Sequence, residues 1–292
     1  MFRIRRVYDD ITPANQDAIS QVQEILRAQF PILSKRDIKK LPEQLRNPMK
    51  YRFRSILFVA EGIRGHVDGF ALLFHEPALR FCYLDYISVG PQKTGGGIGG
   101  ALYERIREEA LDLETIGLFF ECLPDKPALS RDTVIRKQNA ARLRFYERYG
   151  ACPITNTAYE TPLKPGGDNP PYLVYDALGL EIELPRDTAR QVVRAILERK
   201  YRGVCPPEYV EMVVESFKDD LVQLRKPEYV KKPPLPINCA TRADRRIRLV
   251  INDRHWIHHV EERGYVESPV RIDSIMKELN KTDLFQKVPW RY

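Results

Sequence analysis

"VGPQKTGGGIGGAL", residues 89–102, gathers five of the chain's 16 glycines into positions 95–100, interrupted only by Ile98. A run this dense reads as a slack linker, a dinucleotide fingerprint, a P-loop or another phosphate cradle. The P-loop needs G-x-x-x-x-G-K-[ST], whose lysine reaches the β- and γ-phosphates. Here Ala101 and Leu102 follow the glycines, which excludes it. Gly95, Gly97 and Gly100 do satisfy G-x-G-x-x-G, with Glu121 ending a later strand pattern. That fingerprint turns directly off its strand, whereas Gly90 to Thr94 intervene here, and a glycine-dense window matches it cheaply. The linker reading is weaker still. The glycines lead straight into "ALYERIREEALDL", with Leu102, Ile106, Ala110 and Leu113 on one helical face. What remains is strand, short turn, glycines, helix. Successive glycines let a ligand approach the backbone, and their N–H groups join the helix N-terminus in pointing at an anion, most naturally a pyrophosphate.

Outward from this run the pattern alternates. "FRIRRVY" reads as a strand and Thr12 as the cap of the helix "PANQDAISQVQEILRAQF", with a shorter, proline-interrupted helix in "KRDIKKLPEQLR". "SILFVAEG", "GHVDGFALLFHE" and "RFCYLDYISV" are three strands in a meander. "IGLFFECL" is a strand, "QNAARLRFYERYGA" a helix stopped by Gly150, and "PYLVYDAL" a closing strand after the loop "TPLKPGGDNPP". Further on, "RDTARQVVRAILERKY" and "PEYVEMVVESFKDDLVQL" predict two amphipathic helices, "KPEYVKKPPLP" a stiff linker, "RRIRLVIND" a strand and "SPVRIDSIMKELNKTDLF" a helix. The texture change predicts a first domain over residues 1–180 and an extension over 181–292.

Composition narrows the function classes. With 43% hydrophobic and 30% charged residues the 292-residue chain reads as globular, and no apolar run is long enough to span a bilayer. The start, "MFRIRRVYDD", lacks the apolar stretch of a signal peptide, which predicts a cytoplasmic protein. The five cysteines fall in no C-x-x-C spacing, so neither a disulfide framework nor a cysteine metal site is expected. The net charge of +7 comes without a dense basic tract, so no nucleic-acid partner is expected.

Two motifs carry a family resemblance. In one register Val89, Pro91, Gly95, Gly97, Ile98, Gly99 and Leu102 match V-x-P-x-x-[RQ]-G-x-G-[IL]-G-x-x-L, with Thr94 in place of Arg or Gln. Downstream, "NAARLRFYERYGA" supplies Asn139, Phe145, Tyr146, Glu147, Arg148 and Gly150 of a second motif, with Arg142 where Ala is usual. Together these resemble the GCN5-related N-acetyltransferases over about residues 1–180. The resemblance implies an α/β fold, a mixed and mostly antiparallel sheet flanked by helices, with acetyl-CoA as the acyl donor. It implies that the backbones of Ile87, Ser88 and Val89 hold the pantetheine arm, and that amides of Thr94, Gly95, Gly97, Gly99 and Gly100 hold the pyrophosphate. Asn139 would contact the cofactor and Tyr146 would protonate the leaving thiolate. The base is open between Glu121, Asp85 and a water. The long stretch 123–137 is expected to border the acceptor site, where Asp125 or Asp132 would recognise a cationic amine. The acceptor itself is a small amine, a polyamine or a protein lysine.

The last third is less informative. "HWIHHVEE" spaces His255 and His259 one helical turn apart but lacks a third ligand, so no metal is expected. Asp253, His255, Glu267, Pro269, Arg271 and Ile275 weakly resemble the opening of a histone deacetylase or acetylpolyamine amidohydrolase domain. On that resemblance the chain is the acetyltransferase part of an acetyltransferase–deacylase fusion, without deacetylase activity of its own. The competing reading of the whole chain is a non-catalytic acyl-CoA sensor, with the helices of residues 184–225 supplying a partner or homodimer surface.

Overall fold

A computed structural model describes residues 2–90, 96–164, 166–180, 182–231, 247–251, 270–280 and 285–288. The chain divides into two compact units, Met1–Leu235 and Pro236–Tyr292.

The first unit is built on a seven-stranded sheet in the order β1-β2-β3-β4-β5-β7-β6. Its strands are β1 (Arg3–Val7), β2 (Arg54–Glu61), β3 (Val67–Glu76), β4 (Phe81–Val89), β5 (Leu118–Cys122), β6 (Cys152–Pro153) and β7 (Tyr172–Asp176). Every pairing is antiparallel except β4 with β5. A parallel neighbour needs a crossover, and α5 (Ile98–Asp112), the helix that follows the glycines, provides it. The expected α/β class and the mostly antiparallel sheet are therefore present.

Strand alternation sends successive side chains to opposite faces, and each face has its own core. On one, Leu57, Val59, Phe70, Leu72, Tyr83 and Phe119 pack against helices on that side. These include α1 (Pro13–Gln29), whose buried stripe Ala18, Ile19, Val22, Ile25 and Leu26 follows the 3.6-residue period. Thr12 caps this helix through Oγ1, which accepts from the Asn15 amide at 3.3 Å. Short helices α2 (Lys35–Lys39), α3 (Leu41–Arg46) and α4 (Pro48–Tyr51) complete that end. On the other face Ile56, Phe58, Leu73, Leu84 and Phe120 meet α5 and α6 (Thr133–Glu147).

Three expectations need correction. First, residues 181–235 are not separate from the sheet. Helix α7 (Arg186–Ala195), a π turn over Ile196–Lys200 and α8 (Pro207–Glu215) bury Val192, Val193, Ile196, Leu197, Val213 and Val214 in the same core as Tyr83 and Phe119. Their apolar faces are thus spent on the chain's own sheet. Second, α8 stops at Glu215 instead of running on to about residue 224. The following chain turns extended and lies beside β6, bridging Leu224 to Ile154, with the Arg225 amide on Pro153 O at 2.8 Å. An edge strand's unpaired groups attract such a partner. Third, the stretch 123–137 is not all loop, because α6 begins at Thr133.

The second unit contains β8 (Ile247–Val250), α9 (Val270–Leu279) and β9 (Phe285–Val288), with β8 and β9 parallel. The expected strand and helix are present and β9 was not foreseen. Asp253, His255, His259, Glu267 and Pro269 lie outside the described residues. Among the described residues no helix is long and apolar enough to cross a membrane, and no group of three His, Cys, Asp or Glu is set to hold a metal.

Candidate active site

The site begins where two strands part. β4 pairs with β5 only through Cys82–Leu118, Tyr83–Phe119 and Leu84–Phe120. Beyond Leu84, β4 continues against β3 alone, with Ala71 opposite Ile87, Phe70 opposite Ser88 and Gly69 opposite Val89. A bulge marks the parting: Leu72 faces Tyr86 and Leu73 faces Leu84, which leaves Asp85 as the extra residue. Ile87, Ser88 and Val89 thereby turn one backbone edge toward the gap.

The N-terminus of α5 stands at the end of this gap. Gly97 adopts φ 73°, a left-handed conformation that favours glycine. A Cβ there would meet nothing within 4 Å, and one at Gly99 would meet only Val89 Cγ2, at 3.8 Å. Side chains at these positions would fill the space in front of the helix, which glycine leaves to a ligand. No acidic residue sits in the first turn to satisfy the free amides. The close approach of helix and strands depends on a further glycine: a Cβ on Gly69 would come within 2.9 Å of Ser88 O and 3.2 Å of Ile98 Cγ2. Thr94 and Gly95 lie outside the described residues.

Glu121 and Tyr146 sit on opposite faces of β5. Tyr146 on α6 packs its ring on Phe120 at 4.4 Å and on Tyr103 at 5.1 Å. Burial pushes its hydroxyl far above the ordinary phenol range, so it keeps its proton at any physiological pH. Asn139, about two turns earlier on α6, is buried and donates from Nδ2 to Pro124 O at 2.8 Å. It tethers the chain leaving β5.

Glu121 projects to the other face into a hydroxyl-rich cluster. Tyr159 donates to its Oε1 at 2.6 Å and Tyr201 to its Oε2. Next to it Lys200 donates to Tyr83 Oη at 2.7 Å and pairs with Asp85 at 2.9 Å. Burial raises the phenols of Tyr159 and Tyr201, and the Glu121 charge raises them further, so both act as donors to a carboxylate. Burial also opposes the charge on Lys200, but Asp85 and Glu121 outweigh it and hold the ammonium protonated. Asp85 is thereby committed to an ion pair, while Glu121 lines, with Asp168, a cavity of about 280 Å³. Tyr159, Tyr201, Tyr209, Leu197 and residues 161–164 and 167–171 wall that cavity.

The two other carboxylates expected at the acceptor are engaged elsewhere. Asp125, with a side chain 2% exposed, takes hydrogen bonds from Arg225 (3.0 Å), Tyr229 (2.6 Å) and Tyr172 (3.1 Å). Asp132 caps α6, accepting from the amides of Val134 and Ile135. Sequence reasoning also missed Lys200, Tyr201 and Tyr159. The first two read as the polar end of an amphipathic helix, and nothing in "TNTAYETP" distinguished Tyr159. Only the π turn, which adds a residue to the helical repeat, brings 200 and 201 over the strands.

No protein-family model and no curated protein sequence matches the chain. Among solved structures it is similar to an aminoglycoside 6'-N-acetyltransferase complexed with coenzyme A. That match has 17% identity and a TM-score of 0.46, covering 60% of this chain and 97% of the other. The aminoglycoside 6'-N-acetyltransferase of Enterococcus faecium matches at 15% identity and TM-score 0.43, over 60% and 97%. Tetrahymena GCN5 matches at 13% and 0.42, over 60% and 94%.

Proposed function

We propose that this chain is an acetyl-CoA-dependent N-acetyltransferase acting on a primary amine. The observation that carries the reading is the parting of β4 from β5 beside a glycine-opened helix N-terminus, with Glu121 and Tyr146 on opposite faces of β5 at that point. A CoA pyrophosphate suits the amides around Gly97, Gly99 and Gly100, and an extended pantetheine arm suits the open edge of Ile87, Ser88 and Val89. When bound, acetyl-CoA supplies the activated acetyl thioester. Glu121, which lines the acceptor-sized cavity, takes a proton from the ammonium so that a neutral amine is available. Tyr159 and Tyr201 orient that carboxylate. Tyr146 holds its proton for the departing sulfur on the other side of the strand. The acceptor enters from the α7–α8 side, and a small amine, a polyamine or an extended lysine side chain is slender enough for the cavity.

Calorimetry with acetyl-CoA and with CoA, followed by thiol release across a panel of amines, tests the reading. Binding of both nucleotides and turnover on at least one amine is expected. Binding without turnover on any amine would move the assignment to an acyl-CoA sensor. Absence of CoA binding would overturn both.

A further inference from the structure

The charges around the cavity in front of Glu121 nearly cancel, and what is left over is informative. Among the described residues, Glu121, Lys164 and Asp168 are the charged side chains that line it. Lys164 and Asp168 are exposed and of opposite sign. Asp168 already accepts from the Arg131 amide at 3.3 Å and from Asn169 Nδ2 at 3.1 Å. Beside Glu121, Lys200 and Asp85 pair at 2.9 Å and sum to zero wherever their proton rests. Glu121 is half-buried and takes its hydrogen bonds from neutral groups, the hydroxyls of Tyr159 and Tyr201. One negative charge therefore remains. It sits where β4 and β5 part, since Phe120 just before it makes the last pairing between them.

The rest of the wall offers little to a polar ligand. Its three tyrosines have committed their hydroxyls, Tyr159 and Tyr201 to Glu121 and Tyr209 to Thr161 O at 2.8 Å. Their rings face the cavity together with Leu197, Pro162, Pro170 and Pro171. A proline has no N–H, so those three positions cannot donate to a peptide main chain.

We propose that the acceptor is a small primary monoamine on an apolar body, and not a polyamine or a protein lysine. The inference rests on the transferase reading and narrows it. One ammonium answers the one carboxylate left without a countercharge. A second ammonium further along the acceptor would leave water for rings and prolines with no carboxylate to meet it, a costly transfer. Tyrosine faces suit both an ammonium and a hydrocarbon chain. The volume of about 280 Å³ falls just short of the roughly 300 Å³ at which sites for drug-sized ligands begin, which favours a small molecule.

The test uses the full chain and two amines with equal numbers of non-hydrogen atoms, n-hexylamine and 1,5-diaminopentane, beside a lysine-containing peptide. Each is titrated by calorimetry into the CoA-saturated protein and then assayed for thiol release from acetyl-CoA. A preference for n-hexylamine over the diamine of about tenfold or more is expected in both Kd and kcat/KM. Glu121→Gln should weaken n-hexylamine binding by about tenfold or more, since it removes the countercharge. Thr161→Asp places a second carboxylate on the wall and should narrow the preference by about tenfold. Equal or better binding and use of the diamine or of the peptide overturns the proposal. So does an unchanged ratio in a Thr161→Asp protein that melts like the wild type. Thiol release with none of the three, while n-hexylamine still binds in preference, tells against the transferase reading and upholds the monocation site.

Discussion

In the proposed reaction Glu121 and Tyr146 bear most of the chemical load, and each makes a separable prediction. Glu121→Gln keeps the side-chain size but cannot accept the amine proton. Its turnover is expected to fall by about 10²–10³ with acetyl-CoA affinity retained, in line with general-base contributions. Tyr146→Phe retains the ring contacts with Phe120 and Tyr103 and loses only the hydroxyl. Slower turnover with nearly unchanged cofactor binding is expected, and equal loss of both would make Tyr146 a packing residue. Asp125 predicts an effect on stability instead. Burial alone would raise its carboxyl, but hydrogen bonds from Tyr229, Arg225 and Tyr172 outweigh this and hold it below the ordinary 3.8. A depressed folded-state value stabilises the fold above the unfolded value and is lost as pH falls through the folded one. Asp125→Ala should cost about 1–3 kcal/mol at neutral pH by removing the carboxylate that Arg225, Tyr229 and Tyr172 hydrogen-bond, while Arg225 keeps Glu147 at 3.6 Å and Glu228 at 3.8 Å. The difference from wild type should shrink below pH 3.8, as read by urea unfolding across pH.

Between elements, the decisive junction is that of β3, β4 and the start of α5. Gly69 is what lets the helix sit against the strands, since a side chain there would collide with Ser88 O and press on Ile98. Gly69→Ala is expected to cost about 1–3 kcal/mol, the usual penalty of overpacking a filled site. It should also weaken acetyl-CoA binding severalfold by shifting the helix N-terminus away from the β4 edge. Gly97→Ala has open space around it, so its cost comes from the left-handed backbone, about 1 kcal/mol. A chemical denaturation series paired with calorimetry separates the two variants. Much of this junction was legible beforehand. The glycine register, the helix and the strand before it all follow from local patterns of spacing. Gly69 was not singled out, because a lone glycine within "VDGFALLF" carries no local mark of the helix that crosses it.

Across the whole first unit, the helices beyond residue 180 complete the sheet. Val192, Val193, Ile196, Leu197, Val213 and Val214 cover Tyr83 and Phe119, and Tyr201 and Lys200 reach the candidate site from the same segment. A fragment ending at residue 180 is therefore expected to expose this apolar face. It should bind a hydrophobic dye and aggregate or unfold, whereas a fragment of residues 1–235 should melt cooperatively. A cooperative fragment of residues 1–180 would refute this. The texture change near residue 184 suggested a boundary because α7 and α8 are strongly amphipathic, and amphipathicity announces a buried face without naming what buries it.

Local order fixes which elements form. Periodicity, caps and glycine placement specify the strands, α1, α5, α6 and the order in which they come, because these signals act over a few residues. The glycine run and the Asn139–Gly150 helix carry enough of this short-range information to mark the candidate cleft. Side-chain partners are a different matter. Whether Asp85 or Asp125 is free, or whether Glu121 faces a cavity, depends on groups from 38 to 115 positions away that pair with them: Tyr159 with Glu121, Lys200 with Asp85, Arg225 with Asp125. A carboxylate's role is set by the charges and donors within a few ångströms, and only the folded chain brings those together.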